Sequence, residues 1–124
     1  MNTLEKAELL KERTKQFAIR VVAVVRSLPA SREGNVIGNQ LLRSGTAVAA
    51  NYRAVCRARS RAEFISKMSI VVEEADETVF WLELLTDTKV ITKEKLAPLL
   101  KEANELLAIC AASLRTAKYN RQGA

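Results

Sequence analysis

The chain has 124 residues, of which 48% are hydrophobic, 27% charged and 5% aromatic, and this composition predicts one globular domain and excludes an intrinsically disordered chain. The formal net charge is +6 at pH 7 and is distributed unevenly along the sequence. Histidine is absent, which removes the commonest general base and the usual partner of a nucleophilic serine or cysteine.

Helical periodicity and its interruptions divide the chain into four segments. Apolar residues recur at helical spacing in the first segment, which Pro29 closes. Ser60 followed by Glu63 has the pattern of a capping box, which predicts that a helix starts directly after Ser60. The predicted helices cover about 3–27, 35–58, 61–86 and 93–118. Because the connections are short, residues 1–124 are predicted to form one all-α domain, an antiparallel up-down-up-down four-helix bundle.

The same patterns bear on compartment and redox state. No apolar run approaches the roughly 18 residues that a membrane span requires, and the charged N-terminus lacks a signal-peptide core. We therefore expect a cytoplasmic protein with no membrane partner. Cys56 and Cys110 are isolated among apolar residues, which predicts two reduced, buried thiols.

The sequence offers little for catalysis or metal binding. Glu73 and Glu77 share a helix face, but di-metal helical bundles combine such carboxylates with Glu-x-x-His pairs, and this chain has no histidine. The glycine-containing stretch GNVIGNQLL has neither the lysine of a phosphate-binding loop nor a preceding strand. We therefore predict a protein that is not an enzyme and has no catalytic residue, metal site or cofactor.

Positive charge is concentrated in the first half of the chain. Residues 1–62 hold 12 Lys/Arg against 4 Asp/Glu, whereas residues 63–124 hold 8 against 10. The predicted second helix carries arginines opposite its apolar face without interleaved carboxylates, and arginine suits bidentate contacts with phosphate or carboxylate alike. The candidate nucleic-acid-binding residues are Arg53, Arg57, Arg59 and Arg61, with Arg43 and Arg32 as weaker members; Lys11, Arg13, Lys15 and Arg20 of the first helix extend this surface.

The third helix has apolar residues on two sides. Phe64, Met68, Val71, Ala75 and Leu82 belong to one face. A second stripe projects from the other side, and we expect it to be a subunit interface whose carboxylates meet arginines of another chain. The alternative is that Trp81 only covers an edge of the bundle. The predicted interface residues are Ile70, Glu73, Glu74, Glu77, Trp81 and Leu84.

Several segments together resemble a known family. The runs QLLRSGT, ANYR, SRAEF and EADETVFWLELL are similar to those of small four-helix-bundle proteins encoded in intervening sequences of bacterial 23S ribosomal RNA genes. A more distant resemblance links the chain to accessory proteins of diversity-generating retroelements. The resemblance implies a cytoplasmic ring, with a homopentamer as the expected state. It also implies nucleic-acid binding through basic surfaces, no catalysis, and a possible protein partner such as a reverse transcriptase.

The leading prediction is therefore a non-catalytic, ring-forming helical bundle that binds RNA or DNA largely through phosphate contacts. Because few aromatic residues are free for stacking, we do not expect sequence-specific readout of single strands. The alternative is a protein-interaction adaptor or structural oligomer whose arginines pair with acidic surfaces. The direction in which the basic face of the second helix points discriminates between the two.

Overall fold

The computed structural model describes the backbone of residues 1–123 and the side chains of residues 1–120. Within this part of the chain there are four helices and no strand, which confirms the all-α, four-helix prediction. The helices are α1 (Thr3–Ser27), α2 (Arg32–Cys56), α3 (Arg61–Asp87) and α4 (Lys93–Gly123).

Side-chain caps explain where the first three helices begin. The side chain of Asn2 accepts a hydrogen bond from the backbone N–H of Glu5 at 2.8 Å, and Ser60 accepts one from Glu63 at 3.0 Å. Ser31 likewise accepts from the N–H of Gly34 at 3.0 Å, and α2 therefore begins at Arg32 rather than at the predicted residue 35. The sequence prediction missed this cap because it assigned Ser31 to the preceding loop.

Each helix packs against the next along the chain, and α4 returns to α1 with the smallest contact of the four pairs. The connections between successive helices are short, so neighbouring helices run antiparallel. One core cluster, which includes Phe17, Leu41 and Leu82, fills the end where α1 runs into α2. A second cluster, which includes Val48 and Met68, fills the end where α2 runs into α3.

The middle of α2 is tightly packed against both of its neighbours. A Cβ added to Gly45 would lie 2.8 Å from both methyl carbons of Val21, a residue of α1 that is fully buried. On the α3 side, the buried hydroxyls of Ser44 and Thr78 hydrogen-bond to each other at 3.0 Å. Small side chains at this level therefore allow the close approach of three helices.

The two cysteines differ in their surroundings, and both are free. Cys110 is fully buried, and this burial raises the pKa of its thiol to about 11. Cys56 is exposed, so the prediction of two buried thiols was wrong for this residue, because Cys56 is the last residue of α2 and lines an open groove at that end of the bundle. Among the described residues, no helix is both long and apolar enough to cross a membrane.

Candidate nucleic-acid interface

Arg43, in the middle of α2, is engaged by two carboxylates of α3. Its Nη1 donates to Glu74 at 3.0 Å, and its Nη2 donates to Glu77 at 2.6 Å. Trp81 Nε1 also donates to Glu77, at 3.1 Å. The Arg43 guanidinium, followed by the Trp81 N–H, lowers the pKa of Glu77. The charge of Arg43 is therefore used within the chain, and so are two of the predicted interface carboxylates.

Arg13 of α1 makes an equivalent cluster with α4. It donates from Nε and Nη2 to both carboxylate oxygens of Glu102, at 2.8 and 2.6 Å, and from Nη2 to Glu105 at 2.7 Å. The Arg13 guanidinium lowers the pKa of Glu102 against the opposing effect of burial, and Arg20 contributes a smaller lowering. Two of the four contacts between helices, α2–α3 and α1–α4, are thus each bridged by one arginine and a Glu pair spaced i,i+3. The sequence prediction placed Arg13 on the nucleic-acid surface, whereas the structure shows it paired.

The arginines at the C-terminal end of α2 are in a different situation. Arg53, Arg57 and Arg59 are exposed, and they line a cleft of about 470 Å³ together with Lys67 and Glu63. Glu63 lies 3.8 Å from Lys67. Within residues 1–120, no carboxylate lies within salt-bridge distance of Arg53, Arg57 or Arg59.

A second cleft, on the α1 side, continues this positive surface. It has a volume of about 460 Å³ and is lined by Lys11, Lys15 and Arg53 with one carboxylate, Glu12. Arg53 lines both clefts, so the two form one surface across α1, α2 and the start of α3. We call this surface the basic band; its cations are Lys11, Lys15, Arg53, Arg57, Arg59 and Lys67.

The remaining two predicted arginines lie outside the basic band. Arg61 lines a neighbouring groove at the end of the bundle, which it shares with Arg59. Arg32 is the first residue of α2, and Arg53 lies 21 residues further along the helix, a distance of roughly 30 Å at the helical rise. Arg32 therefore lies at the opposite end of α2 from Arg53 and outside the basic band. The sequence prediction did not single out Lys67, which lines the same cleft as Arg57.

The second apolar stripe of α3 is only partly exposed. Ile70 is 43% exposed, and Phe80, which the sequence prediction did not include, is 51% exposed. Phe80 packs edge-on against Trp81, with the ring centroids 4.9 Å apart. Trp81 and Leu84 are half-buried and pack against the core. The assignment of this stripe to a subunit interface stays a prediction, and the structure identifies Ile70 and Phe80 as its most accessible apolar members.

The described residues contain no group of histidine, cysteine, aspartate or glutamate side chains that could hold a metal ion. Glu73 is exposed, and its i,i+4 neighbour Glu77 is occupied by Arg43 and Trp81. The acidic run of α3 therefore serves to bridge helices at this position.

The fold places the molecule among the small all-α bundle proteins. Over residues 8–112 the sequence matches the family described as 23S rRNA-intervening sequence protein, and the chain belongs to that family. The crystal structure of a protein of unknown function from the S23 ribosomal protein family of Bacteroides thetaiotaomicron is similar, with 35% sequence identity and a TM-score of 0.81. The match covers 89% of this chain and 98% of that one. No curated protein matches the sequence.

Proposed function

We propose that this protein is a non-catalytic, cytoplasmic helical bundle that binds RNA or DNA through the phosphate contacts of the basic band. The observation that carries the proposal is the cleft in which Arg53, Arg57 and Arg59 converge with Lys67 around one carboxylate. A concave surface lined by cations of one sign focuses the electrostatic field and attracts polyanions. Arginine adds bidentate hydrogen bonds to phosphate oxygens, which a lysine point charge cannot supply.

The distribution of the acidic residues supports nucleic acid over carboxylate pairing within the chain. Glu74 and Glu77 are already bonded to Arg43, and Glu102 and Glu105 to Arg13. Glu12 and Glu63 line the basic band, and Glu8 is bonded to Lys11 at 3.1 Å, so three carboxylates stand beside its six cations. Its excess positive charge is thus directed toward solvent, where a phosphate backbone can displace counterions.

The proposal includes self-association into a ring, with a homopentamer as the expected state from the family resemblance. Exposed Ile70 and Phe80 supply apolar surface on α3 that a neighbouring subunit can cover. At +6 per chain, each added subunit increases the positive charge of the assembly, and several weak phosphate sites on one ring bind a long polyanion with avidity.

The second candidate function is a protein-interaction adaptor, and the same exposed stripe of α3 favours it. Ile70 and Phe80 can equally contact a different protein, with exposed Glu73 at the rim. A reverse transcriptase as the partner stays a prediction from the resemblance. The two functions differ in which surface is essential, because the adaptor needs the α3 stripe and nucleic-acid binding needs the basic band.

Salt-dependent binding of two double variants tests the proposal. R53A/R57A removes two cations of the basic band, and R26A/R32A removes two exposed arginines at the opposite end of the bundle, so the variants have equal net charge. We expect R53A/R57A to weaken binding to duplex DNA and structured RNA and to reduce the slope of log K against log [salt] by about two. R26A/R32A should behave close to the wild type.

Three results would count against the proposal. If wild-type protein binds neither ligand near physiological salt, the basic band is not a nucleic-acid site and the adaptor is favoured. If the two double variants lose equal affinity, binding reflects net charge alone. If R53A/R57A keeps the wild-type slope, the phosphate contacts lie elsewhere. Circular dichroism and mass in solution, recorded for every variant, show that fold and assembly are intact.

A further inference from the structure

A groove lies at the end of the bundle, next to the basic band, and includes Arg59 and Arg61 of the predicted nucleic-acid surface. It has a volume of about 880 Å³ and lies where the start of α1, the α2–α3 turn and the last turns of α4 meet. Small side chains on facing helices leave this space open, among them Ala7 of α1 and Ser113 and Ala117 of α4. Its volume is within the range of pockets that hold small organic ligands.

The lining of this groove combines an apolar floor with a positive rim. Val55 and Tyr52 are buried beneath it, at 3% and 5% exposure, and half-buried Phe64 forms part of its wall. Lys6, Arg59 and Arg61 lie at its edge, and hydroxyl and amide side chains complete it. No carboxylate occurs among the described residues that line it. The phenol of Tyr52 is neutral at pH 7 at its ordinary pKa, and burial raises that pKa further.

Arg59 connects this groove to the phosphate-binding surface, because it lines both the groove and the cleft with Arg53 and Arg57. A strand whose phosphates follow the basic band reaches the mouth of the groove at Arg59. The flat apolar face and polar edge of a nucleobase match an apolar floor surrounded by hydroxyl groups, whereas the phosphates of the same nucleotide match the cationic rim.

We propose that the groove receives the base of an unpaired nucleotide from the strand bound on the basic band, so that the protein prefers nucleic acid with unpaired bases over blunt duplex. This inference rests on the proposed function and names the ligand class for the end of the same surface. It also changes one expectation from the sequence, because the fold places the half-buried aromatic side chain of Phe64 in the wall of a groove where a base can contact it.

The test compares three hairpins that share one stem: a blunt hairpin, the same hairpin with a short single-stranded overhang, and the overhang with its bases removed and its sugars and phosphates kept. We expect the base-containing overhang to bind about tenfold tighter than the abasic one, a ratio that corresponds to about 1.4 kcal/mol and lies within the contribution of one stacked base. Equal affinity for the two overhangs would overturn the inference.

A matched pair of variants on α4 locates the effect. A117W fills the groove from a half-buried position in its wall, whereas A112W places the same side chain at an exposed position that does not line it. A117W should remove the preference for the base-containing overhang and keep the affinity for the blunt hairpin. A112W should keep both. A preference that survives in A117W would contradict the assignment.

Cys56 provides a second measurement that needs no large substitution. This exposed thiol lines the groove, whereas Cys110 is fully buried, so a maleimide reagent modifies Cys56 selectively. The base-containing overhang should slow this modification relative to the abasic overhang at equal occupancy, and equal protection would contradict the inference. If the basic band binds all three hairpins equally, only the inference fails. If no hairpin binds, the inference and the proposed function fail together.

Discussion

The middle and the C-terminal end of α2 carry the same residue type in opposite electrostatic surroundings. Arg43 is bonded to Glu74 and Glu77, whereas Arg53 and Arg57 line an open cleft. The antiparallel register of α2 and α3 explains the difference. It brings the acidic run of α3 level with the middle of α2, and it leaves the end of α2 beside the start of α3, where Lys67 adds positive charge.

Packing changes along α2 in the same direction. At mid-height, Gly45 leaves no room for a Cβ beside Val21, and the hydroxyls of Ser44 and Thr78 bond in the interior. At the C-terminal end, Arg53 lines two clefts and Cys56 lines the groove at the end of the bundle. One helix is therefore structural over its middle and accessible at its end, which shows that helix-wheel position alone does not assign a role to an arginine.

The largest expected effect on stability comes from enlarging a side chain in the middle of α2, compared with the same enlargement near its C-terminal end. G45L places a leucine against the buried methyl groups of Val21, and overpacking of this kind costs about 1–3 kcal/mol. A50L adds a leucine at an exposed position that lines the basic clefts, where substitutions stay within about 0.5 kcal/mol. Urea unfolding measures both free energies. Equal values would contradict the contrast between a closed middle and an open end.

A smaller decrease in the free energy of unfolding is expected when acid protonates the carboxylates that Arg13 and Arg43 contact. Arg13 lowers the pKa of Glu102, and Arg43 lowers that of Glu77. A lowered pKa in the folded state stabilises the protein above the unfolded value of 4.5, and this contribution is lost as the pH falls through the folded pKa. The urea midpoint should therefore decrease as the pH falls below about 4.5.

R13A is the variant that isolates this contribution. It should lower stability at pH 7 by about 1 kcal/mol or less, because a half-exposed pair is screened by solvent. Its urea midpoint should also fall less steeply in acid than that of the wild type, since the carboxylate of Glu102 no longer has its partner. An acid profile of R13A that parallels the wild type would contradict the ion-pair assignment.

Much of the fold followed from local patterns, because apolar spacing, Pro29 and the cap at Ser60 act over a few residues. The four helices and their order were predicted, and the start of α2 was missed only because Ser31 can belong to a loop or cap a helix. The family was recognised from motifs in α2 and α3, and the match over residues 8–112 confirms it.

The candidate site was less predictable, because it depends on which helices meet and at what register. A helical wheel places Arg43 and Arg53 on one polar face, yet only the pairing of α2 with α3 decides which of them meets a carboxylate. The pairing of Arg13 with Glu102 and Glu105 could likewise be predicted only by knowing that α1 packs against α4. The sequence could have indicated that Phe80 belongs to the second apolar stripe, since it lies three residues after Glu77, on the side of α3 that carries Ile70.

The measurement that tests the central claim most directly is the salt dependence of nucleic-acid binding for the single variants R43A and R53A. Both remove one arginine from the polar face of α2 and change the net charge equally. We expect R53A to weaken binding and to lower the salt slope by about one, while R43A leaves the slope unchanged. An equal or larger loss for R43A would show that the arginine bonded to Glu74 and Glu77 binds nucleic acid, and it would contradict the assignment of phosphate binding to the basic band.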